Sequence, residues 1–569
     1  MKKTKIINLL ILAISLTFLV GCGGGGGGGS SYNPIDPIPD IPSEYESAPA
    51  FNKAANEIYT YQSNSDNLAV DLPVGSSYFV TIKNTSNYNQ KISLIASVAA
   101  SARASANDEP LANQALYDID SLRAQERAEA EMQYRLNFIN QIEQRKNSKA
   151  VCASRASLSG VAHKDERVGE SYDIVTSDGY GNPVTLNNCK LVAETQNAKF
   201  FVDQEYRSHY SPQRELMERI VTEGDFALTK VFDSDSVNIF SFMSENFGDF
   251  LDIDGDRKLS IIITPYLSVM NSSYLGLFMC DCMVPWFQDP RDQILIAPPL
   301  GEALAKGENY VRYEAIANLC HEYQHVVNFS ERFYRNNFVF YDSDNEKYRQ
   351  ELGFDEGCSV CAEALFRRAR GEKGYSTLFD HQTGGTASRE YTGNDERFNK
   401  SLSSYNGNFG NVFPFYKANT KFNYYDYGRN GLFMLYLHDR FPDNFSKLIQ
   451  HGFEGDNLET VISQILGTSE SLDKLQRDWY FALQHEFLKT ERTKNGEAFT
   501  SDARFKYNDW LRLDSYNKTL KTTTYLNSGS TAMFKLTPNQ ATSGNTFRFF
   551  INSSSYGTNK NLEINIIKI

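Results

Sequence analysis

The chain of 569 residues has no excess of positive charge. Its 57 Lys and Arg residues are outnumbered by 70 Asp and Glu residues, which gives a formal net charge of −13. Nucleic-acid-binding proteins present basic surfaces, so this balance argues against nucleic acid as a partner. Beyond the amino terminus no stretch is apolar for long enough to span a bilayer, and no internal repeat is evident. A protein with several membrane spans is therefore excluded.

The one long apolar run lies in the first 22 residues, which predict a bacterial lipoprotein signal. A basic start precedes an apolar stretch from Ile6 to Val20 that is too short for a stable span. The sequence Leu19-Val20-Gly21-Cys22 resembles a lipobox, in which the chain is cut before the cysteine and that cysteine is lipidated. We therefore predict a signal peptide over residues 1–21 and a membrane anchor at Cys22. A secretory signal without lipidation is the alternative.

Residues 22–50 have the composition of a tether. Gly23 to Gly29 predict a flexible segment, and the spaced prolines from Pro34 to Pro42 favour an extended spacer. The glycine after Cys22 resembles the sorting signal of outer-membrane lipoproteins. We expect an exported protein on the outer membrane, facing either the periplasm or the exterior.

Cysteine is scarce, and its number is odd once Cys22 is set aside from the eight in the chain. An exported protein favours disulfides, so we expect a bridge between Cys152 and Cys189. Cross-pairing of the Cys280/Cys282 pair with the Cys358/Cys361 pair would leave Cys320 over. A structural zinc site held by these two pairs is the alternative.

The patterns of apolar residues predict an α+β fold with several segments. Short strand patterns indicate a small β module over 51–105, and three- and four-residue spacings indicate a helical connector over 106–150. Strands and then helices fill 151–510, and 515–569 looks like a separate carboxy-terminal β module. We predict a two-lobed zincin (thermolysin-like) catalytic domain at 151–510, flanked by β-sandwich-like modules.

Histidine is also scarce, with eight in the chain, yet two of them lie in one five-residue motif, His321-Glu322-Tyr323-Gln324-His325. The surrounding segment from Tyr313 to Phe329 contains no Gly or Pro and predicts a helix. On a helix, positions i and i+4 share one face, so both imidazoles can reach one zinc ion. Glu322 can then polarise a water molecule at the open position of the metal.

A catalytic zinc needs a third protein ligand, for which Glu356 is the best candidate. It lies in Phe354-Asp355-Glu356-Gly357-Cys358-Ser359-Val360-Cys361-Ala362-Glu363. Glu351, Asp355, Glu363 and His381 compete with it. We expect Glu363 to support a ligand rather than to be one, and we expect structural or surface roles for the remaining histidines.

These two segments together resemble the gluzincins, and most closely the hyicolysin-type neutral zinc metallopeptidases. The resemblance covers roughly residues 155–500 and includes His325-Val326-Val327-Asn328-Phe329 and Asp426-Tyr427-Gly428. It implies that Glu356 is the third ligand. Asp355 stands where the family usually has Asn, and Cys358 and Cys361 occupy positions that are commonly apolar. Buried cysteine behaves as a small hydrophobe, so neither departure removes a ligand, and Asp355 could orient a histidine.

Peptide hydrolysis also develops negative charge on the carbonyl oxygen, and gluzincins supply a Tyr or His donor for it. Tyr427 is our candidate because of its place before Gly428, with Tyr424 and Tyr425 as rivals.

A second acidic pattern, Asp252-Ile253-Asp254-Gly255-Asp256-Arg257-Lys258-Leu259, resembles the start of a calcium loop. Arg257 stands where that loop has glycine, and Ile263 stands where it has its last carboxylate. The alternatives are calcium bound by Asp252, Asp254 and Asp256, or an acidic turn that caps backbone amides.

The sequence as a whole predicts a lipid-anchored zinc endopeptidase that acts on protein or peptide substrates. A surface adhesin or binding protein with an inactive zincin domain is the alternative.

Overall fold

The described chain has strands towards both ends and long helices between residues 308 and 494. The expected α+β fold class is therefore confirmed in the computed structural model. The structure describes residues 46–47, 51–63, 67–73, 75–86, 90–96, 163–178, 182–205, 211–267, 276–283, 287, 289–300, 307–331, 345–370, 408–409, 424–451, 458–467, 469–494, 503–505, 523–526, 531–536, 546–555 and 561–569. The predicted signal peptide, Cys22, the tether and the helical connector over 106–150 lie outside these residues, apart from 46–47.

The strands are, in chain order, β1 (Glu46–Ser47), β2 (Ile58–Ser63), β3 (Asn67–Pro73), β4 (Tyr78–Asn84), β5 (Gln90–Ala96), β6 (Ser171–Ser177), β7 (Pro183–Glu194), β8 (Ala198–Asp203), β9 (Leu259–Ile263), β10 (Gly276–Phe278), β11 (Gln293–Ile296), β12 (Asn408–Phe409), β13 (Thr523–Leu526), β14 (Thr531–Leu536), β15 (Thr546–Ser555) and β16 (Leu562–Lys568). The α-helices are α1 (Ser211–Thr222), α2 (Ile239–Asn246), α3 (Glu308–Phe329), α4 (Asn345–Arg370), α5 (Tyr424–Arg440), α6 (Pro442–His451), α7 (Leu458–Leu466) and α8 (Leu472–Lys494).

A six-stranded mixed sheet with the order β10-β11-β9-β8-β7-β6 forms the centre of the middle segment. Strands β11, β9 and β8 run parallel, whereas β10 is an antiparallel edge strand. Every residue of β8, β9 and β11 is buried, as expected for parallel strands that are covered on both faces. The run Leu259-Ser260-Ile261-Ile262-Ile263 is typical of a strand that is buried on both faces.

The long helix α3 packs on β10 and β11, and α4 packs against α3. Helix α3 begins after Gly307, whose φ of 88° is a left-handed conformation that favours glycine, and continues to Phe329 without Gly or Pro. It therefore starts five residues before the predicted Tyr313 and ends where predicted. Helix α4 also packs against α5, so it contacts both α3 and α5.

The β segments at the two ends of the chain differ from the expectation of two separate modules. They share two five-stranded sheets, with the orders β1-β3-β15-β5-β13 and β12-β14-β4-β16-β2. In the second sheet β4 pairs with β14 on one side and with β16 on the other. Residues 46–569 accordingly form one compact unit. Alternating apolar residues reveal a strand, but they do not reveal its partner.

The cysteines also differ from the expectation. The six within the described residues, Cys189, Cys280, Cys282, Cys320, Cys358 and Cys361, are buried thiols rather than disulfides. Cys358 and Cys361 lie in the middle of α4 and pack in the apolar core, as small hydrophobes do. Cys152, the expected partner of Cys189, lies outside the described residues.

Among the described residues, no helix has the length and the apolar composition that a membrane crossing requires.

Candidate metal centre

Helix α3 places the two motif histidines on one face, one turn apart. The ring centroids of His321 and His325 are 4.9 Å apart, and the rings are inclined at 76°. His325 is 3% exposed, and the side chain of His321 is 14% exposed. This face of α3 turns towards α4, which brings the third side chain.

Glu356 on α4 reaches both histidines and is completely buried. Its Oε2 lies 3.2 Å from Nε2 of His321 and 3.6 Å from Nε2 of His325. A tetrahedral zinc ion with bonds of about 2.0–2.1 Å holds neighbouring donor atoms roughly 3.3 Å apart. The donor atoms of His321, His325 and Glu356 all lie within 4.8 Å of one another, so the set fits a zinc ion both in chemistry and in spacing.

The outward-facing nitrogens of the histidines are held by two other carboxylates of α4. Oε1 of Glu363 is 2.8 Å from Nδ1 of His321, and Oδ2 of Asp355 is 3.0 Å from Nδ1 of His325. Glu363 and Asp355, both considered as rival ligands, therefore contact the nitrogens that point away from Glu356. Such contacts fix the tautomer of a metal-ligating histidine and direct its Nε2 to the metal.

The carboxylates also change the proton affinity of the histidines. Burial lowers the pKa of His321, but its hydrogen bonds with Glu356 and Glu363 outweigh burial and raise that pKa to about 9. For His325, burial again lowers the pKa, and Asp355 and Glu356 more than reverse this and leave it raised. Both shifts favour the protonated imidazoles, and a zinc ion, which binds the neutral ring, would have to displace those protons.

Glu322 lies next to this group but points to the edge strand β10. Its Oε2 accepts a hydrogen bond of 2.9 Å from the backbone N–H of Phe278. Burial raises the pKa of the Glu322 carboxyl, whereas the nearby His321 and His325 lower it. A carboxylate with a raised pKa beside a metal group is the arrangement that a general base needs.

Two glycines make this packing possible, and the sequence motifs did not reveal the role of the first. A Cβ on Gly276 of β10 would lie 2.8 Å from both Cγ and Oε1 of Glu322. A Cβ on Gly357, the glycine of the Glu356-Gly357 pair, would lie 2.9 Å from Cβ of Asn430 and 3.1 Å from its backbone carbonyl on α5. The first glycine gives room to Glu322, and the second lets α4 and α5 approach closely.

The remaining candidates are placed as follows. Tyr424, Tyr425 and Tyr427 belong to the first turn of α5, but their side chains lie outside the described residues, as does the side chain of Glu351. His381 is outside them too. His163 contacts Glu166 and Asp289, His438 contacts Asp439, and His485 stacks on Phe505, so these three take structural positions away from the metal group.

The acidic loop between α2 and β9 forms the second group of converging carboxylates in the described part of the chain. One oxygen each from Asp252, Asp254 and Asp256 lies within 4.8 Å of the others. Burial and the neighbouring Asp256 raise the pKa of Asp254 to about 7. Asp292, which precedes β11, is completely buried beside the loop, and its pKa is raised well above its ordinary value by burial and by Asp254. No sequence motif includes Asp292, since its contact with the loop is tertiary.

No protein-family model matches the chain, and no curated protein matches it either.

Proposed function

We propose that the chain is a zinc-dependent endopeptidase of the gluzincin type. The observation that carries this proposal is the convergence of the two Nε2 atoms of His321 and His325 on Oε2 of Glu356, at 3.2 and 3.6 Å. Two nitrogens and one carboxylate oxygen leave one position of a tetrahedral zinc ion open, which is the ligand pattern of catalytic rather than structural zinc.

We infer a two-lobed zincin fold around this group. The six-stranded sheet with α3 would form one lobe, and α4 to α8 would form the other. In support, the ligands come from α3 and α4, the pair of helices that joins the sheet to the helical segment. The cleft would then pass between β10 and the start of α5.

The strand β10 is suited to bind an extended peptide. Within the described residues it pairs with β11 alone, so its second edge offers backbone groups for hydrogen bonds, apart from the N–H of Phe278, which donates to Glu322. Phe278 of this strand holds Glu322 through its N–H, and Gly276 lies against the same carboxylate. A peptide bound along β10 would therefore pass next to Glu322.

A zinc ion held by His321, His325 and Glu356 would supply the polarisation of a peptide carbonyl and of a water molecule. Glu322 then accepts the proton of the attacking water and delivers it to the leaving amine. Glu363 and Asp355 keep the imidazoles oriented through both steps. Tyr427 remains our candidate donor to the developing oxyanion, with Tyr424 and Tyr425 as rivals.

The lipobox-like Leu19-Val20-Gly21-Cys22 and the tether support an exported enzyme that is anchored to the outer membrane. The proposed substrate is a protein or peptide that reaches this surface.

The deciding experiment is the substitution Glu322→Gln in the full chain, compared with Glu314→Gln, a half-buried glutamate on the same helix. We expect E322Q to retain one zinc per chain and to lose casein hydrolysis by at least about 10³-fold. E314Q should retain both zinc and hydrolysis, and a chelator should abolish the hydrolysis of the unmodified chain. Full hydrolysis by E322Q would refute the proposal. Stoichiometric zinc without cleavage of any peptide library by the unmodified chain would favour the binding protein instead.

A further inference from the structure

The acidic loop that leads into β9 uses half of its carboxylate oxygens on its own backbone. Oδ1 of Asp252 accepts hydrogen bonds from the N–H groups of Gly255 and Arg257, at 2.9 and 3.1 Å. Oδ1 of Asp254 accepts from Asp256 N–H at 3.1 Å, and Oδ1 of Asp256 accepts from Lys258 N–H at 2.7 Å. Oδ2 of each of these three side chains takes no part in these backbone hydrogen bonds.

Two of the buried carboxylate oxygens at this loop have neither a hydrogen-bond partner nor an ion-pair partner in the described structure. They are Oδ2 of Asp254, a residue that is 2% exposed, and Oδ1 of Asp292, which is 0% exposed. The other oxygen of Asp292 accepts from the N–H of Ile253 at 2.9 Å, which fixes Asp292 against the loop. A buried carboxylate oxygen without a donor or a cation carries a large desolvation cost, so this arrangement calls for a positive partner.

The nearby cations of the protein are already engaged. Nζ of Lys199 lies 2.8 Å from Oδ2 of Asp256, but it also lies 2.9 Å from Oε2 of Glu166. Arg291 lies 2.8 Å from Oε1 of the same Glu166. Lys199 is thus shared between Asp256 and Glu166. The carboxylates of Asp252, Asp254 and Asp292 have no ion-pair partner in the described structure.

The backbone of the loop also adopts the turn that a cation loop requires. Arg257 has a φ of 64°, so it takes the left-handed conformation at the position where the calcium loop normally has glycine. Gly255 has a φ of 80°. The substitution of glycine by arginine, which weakened the resemblance at the level of sequence, has therefore not prevented the turn.

We propose that this loop binds a calcium ion through Asp252, Asp254 and Asp256, with Asp292 adding a fourth carboxylate in place of the missing last residue of the calcium loop. The donors are all oxygens, which suits a hard cation such as calcium and not a metal that prefers nitrogen or sulfur. This inference is independent of the proposed peptidase activity. The ion would join the loop to the start of β11 and so stabilise the central strands β9 and β11.

The test uses the purified full chain, stripped of metal and reloaded with one equivalent of zinc, so that the His321 group is already satisfied. We expect titration calorimetry with calcium chloride to show one further ion per chain. Calcium at 1 mM should raise the unfolding temperature by about 3 °C over the same sample in EGTA. Magnesium at the same concentration should give a smaller shift, because it demands a stricter octahedral geometry.

The variant Asp254→Asn tests the site itself. It should lose the calcium-dependent shift, and its unfolding temperature in EGTA should equal or exceed that of the unmodified chain, since it removes an uncompensated buried charge. The control Asp225→Asn, at a side chain that is 93% exposed, should respond to calcium as the unmodified chain does. Should D254N not fold, Asp292→Asn gives the same comparison.

The proposal would be overturned if the unmodified chain showed neither a heat of calcium binding nor a shift in unfolding temperature up to 10 mM calcium. That concentration is about tenfold above the dissociation constant of the weakest calcium-binding modules. The proposal would also be overturned if folded D254N or D292N kept the full calcium-dependent shift in unfolding temperature, because calcium would then bind elsewhere.

Discussion

Glu363 accepts a hydrogen bond from Nδ1 of His321 at 2.8 Å, while Nε2 of the same ring faces Glu356. The two carboxylates lie seven residues apart on α4, two helical turns, so one face of one helix contacts both nitrogens of the imidazole. The ring cannot rotate without losing one of these contacts. The direction of its Nε2 is therefore set by α4.

From this contact we predict that Glu363→Gln weakens zinc binding by roughly 10- to 100-fold, because the neutral amide no longer raises the basicity of His321. Competition with a chelator of known affinity measures the change. At saturating zinc most of the hydrolytic activity should return, since Glu322 and the three ligands are intact. An unaltered zinc affinity would show that Glu363 does not support His321.

We expect Gly276→Ala to reduce hydrolysis by at least about 10-fold with little change in the unfolding temperature. The new Cβ would lie within 2.8 Å of Oε1 of Glu322, and the carboxylate must move away, whereas the backbone of Gly276 has no special φ to disturb. A displacement of a catalytic group by about 1 Å can cost roughly 10²-fold. Zinc content should remain at one per chain. Activity at the level of the unmodified chain would mean that Glu322 can serve from another position.

Gly357→Ala should have a different effect from Gly276→Ala, since its Cβ meets Cβ and the backbone of Asn430 on α5, which cannot rotate away, rather than the flexible end of a side chain. The distances of 2.9 Å to Cβ and 3.1 Å to C and O of Asn430 force α4 and α5 apart. We expect a loss of about 1–3 kcal/mol in the free energy of unfolding. Chemical denaturation of the two alanine variants side by side checks this, and equal stability of the two would contradict it.

The stability of the metal-free protein should fall as the pH rises from about 6.5 to 9. His321 has a pKa of about 9 in the folded chain, because its bonds to Glu356 and Glu363 outweigh burial. A raised pKa contributes stability that is complete below the ordinary value of about 6.5 and is lost as the pH passes through 9. The expected loss is about 2 to 3 kcal/mol, measured by urea unfolding with a zinc-selective chelator.

With zinc present the trend over the same pH range should reverse, because zinc binds neutral imidazole and competes with the proton. Stability that rises with pH in the absence of zinc would contradict the assignment of the raised pKa to His321.

The lipobox predicts that Cys22→Ala abolishes the incorporation of a radiolabelled fatty acid and releases the protein from the membrane fraction. A Cys152→Ala variant serves as the control at a cysteine outside the signal. Unchanged membrane association of C22A would leave the apolar stretch from Ile6 to Val20 as an uncleaved anchor or would indicate another mode of attachment.

The parts of the site that depend on residues close together in the sequence could be predicted, whereas contacts between distant residues could not. The pairing of His321 with His325 depends on helical spacing alone, and a helix could be recognised from the absence of Gly and Pro around it. Glu356 came from the resemblance of its segment to a family motif. The contact of Phe278 with Glu322 joins residues 44 apart in the chain, and a strand of three residues is too short for a periodic pattern.

Asp292 was missed for the same reason, as it reaches Ile253 across 39 residues. The sheets at the chain ends illustrate the limit more generally. The patterns over 51–105 and 515–569 predicted β structure, and strands form in both segments, but nothing in an alternating pattern states that β16 pairs with β4. The disulfides were expected from the compartment, whereas the packing of α4 buries Cys358 and Cys361 in the core of a helix pair.

The interleaving of the terminal strands has a consequence for how the chain acquires its structure. Thr60 donates a hydrogen bond to Asn565, 505 residues further along, and β4 has no neighbours until both β14 and β16 exist. During synthesis β4 therefore remains with unpaired edges until residues 531–568 have been made. Pairing of such distant segments is slow, and open edges invite aggregation. Loss of β16 alone would expose β2 and β4 together, so removal of residues 562–568 should damage strands that lie about 500 residues earlier in the chain.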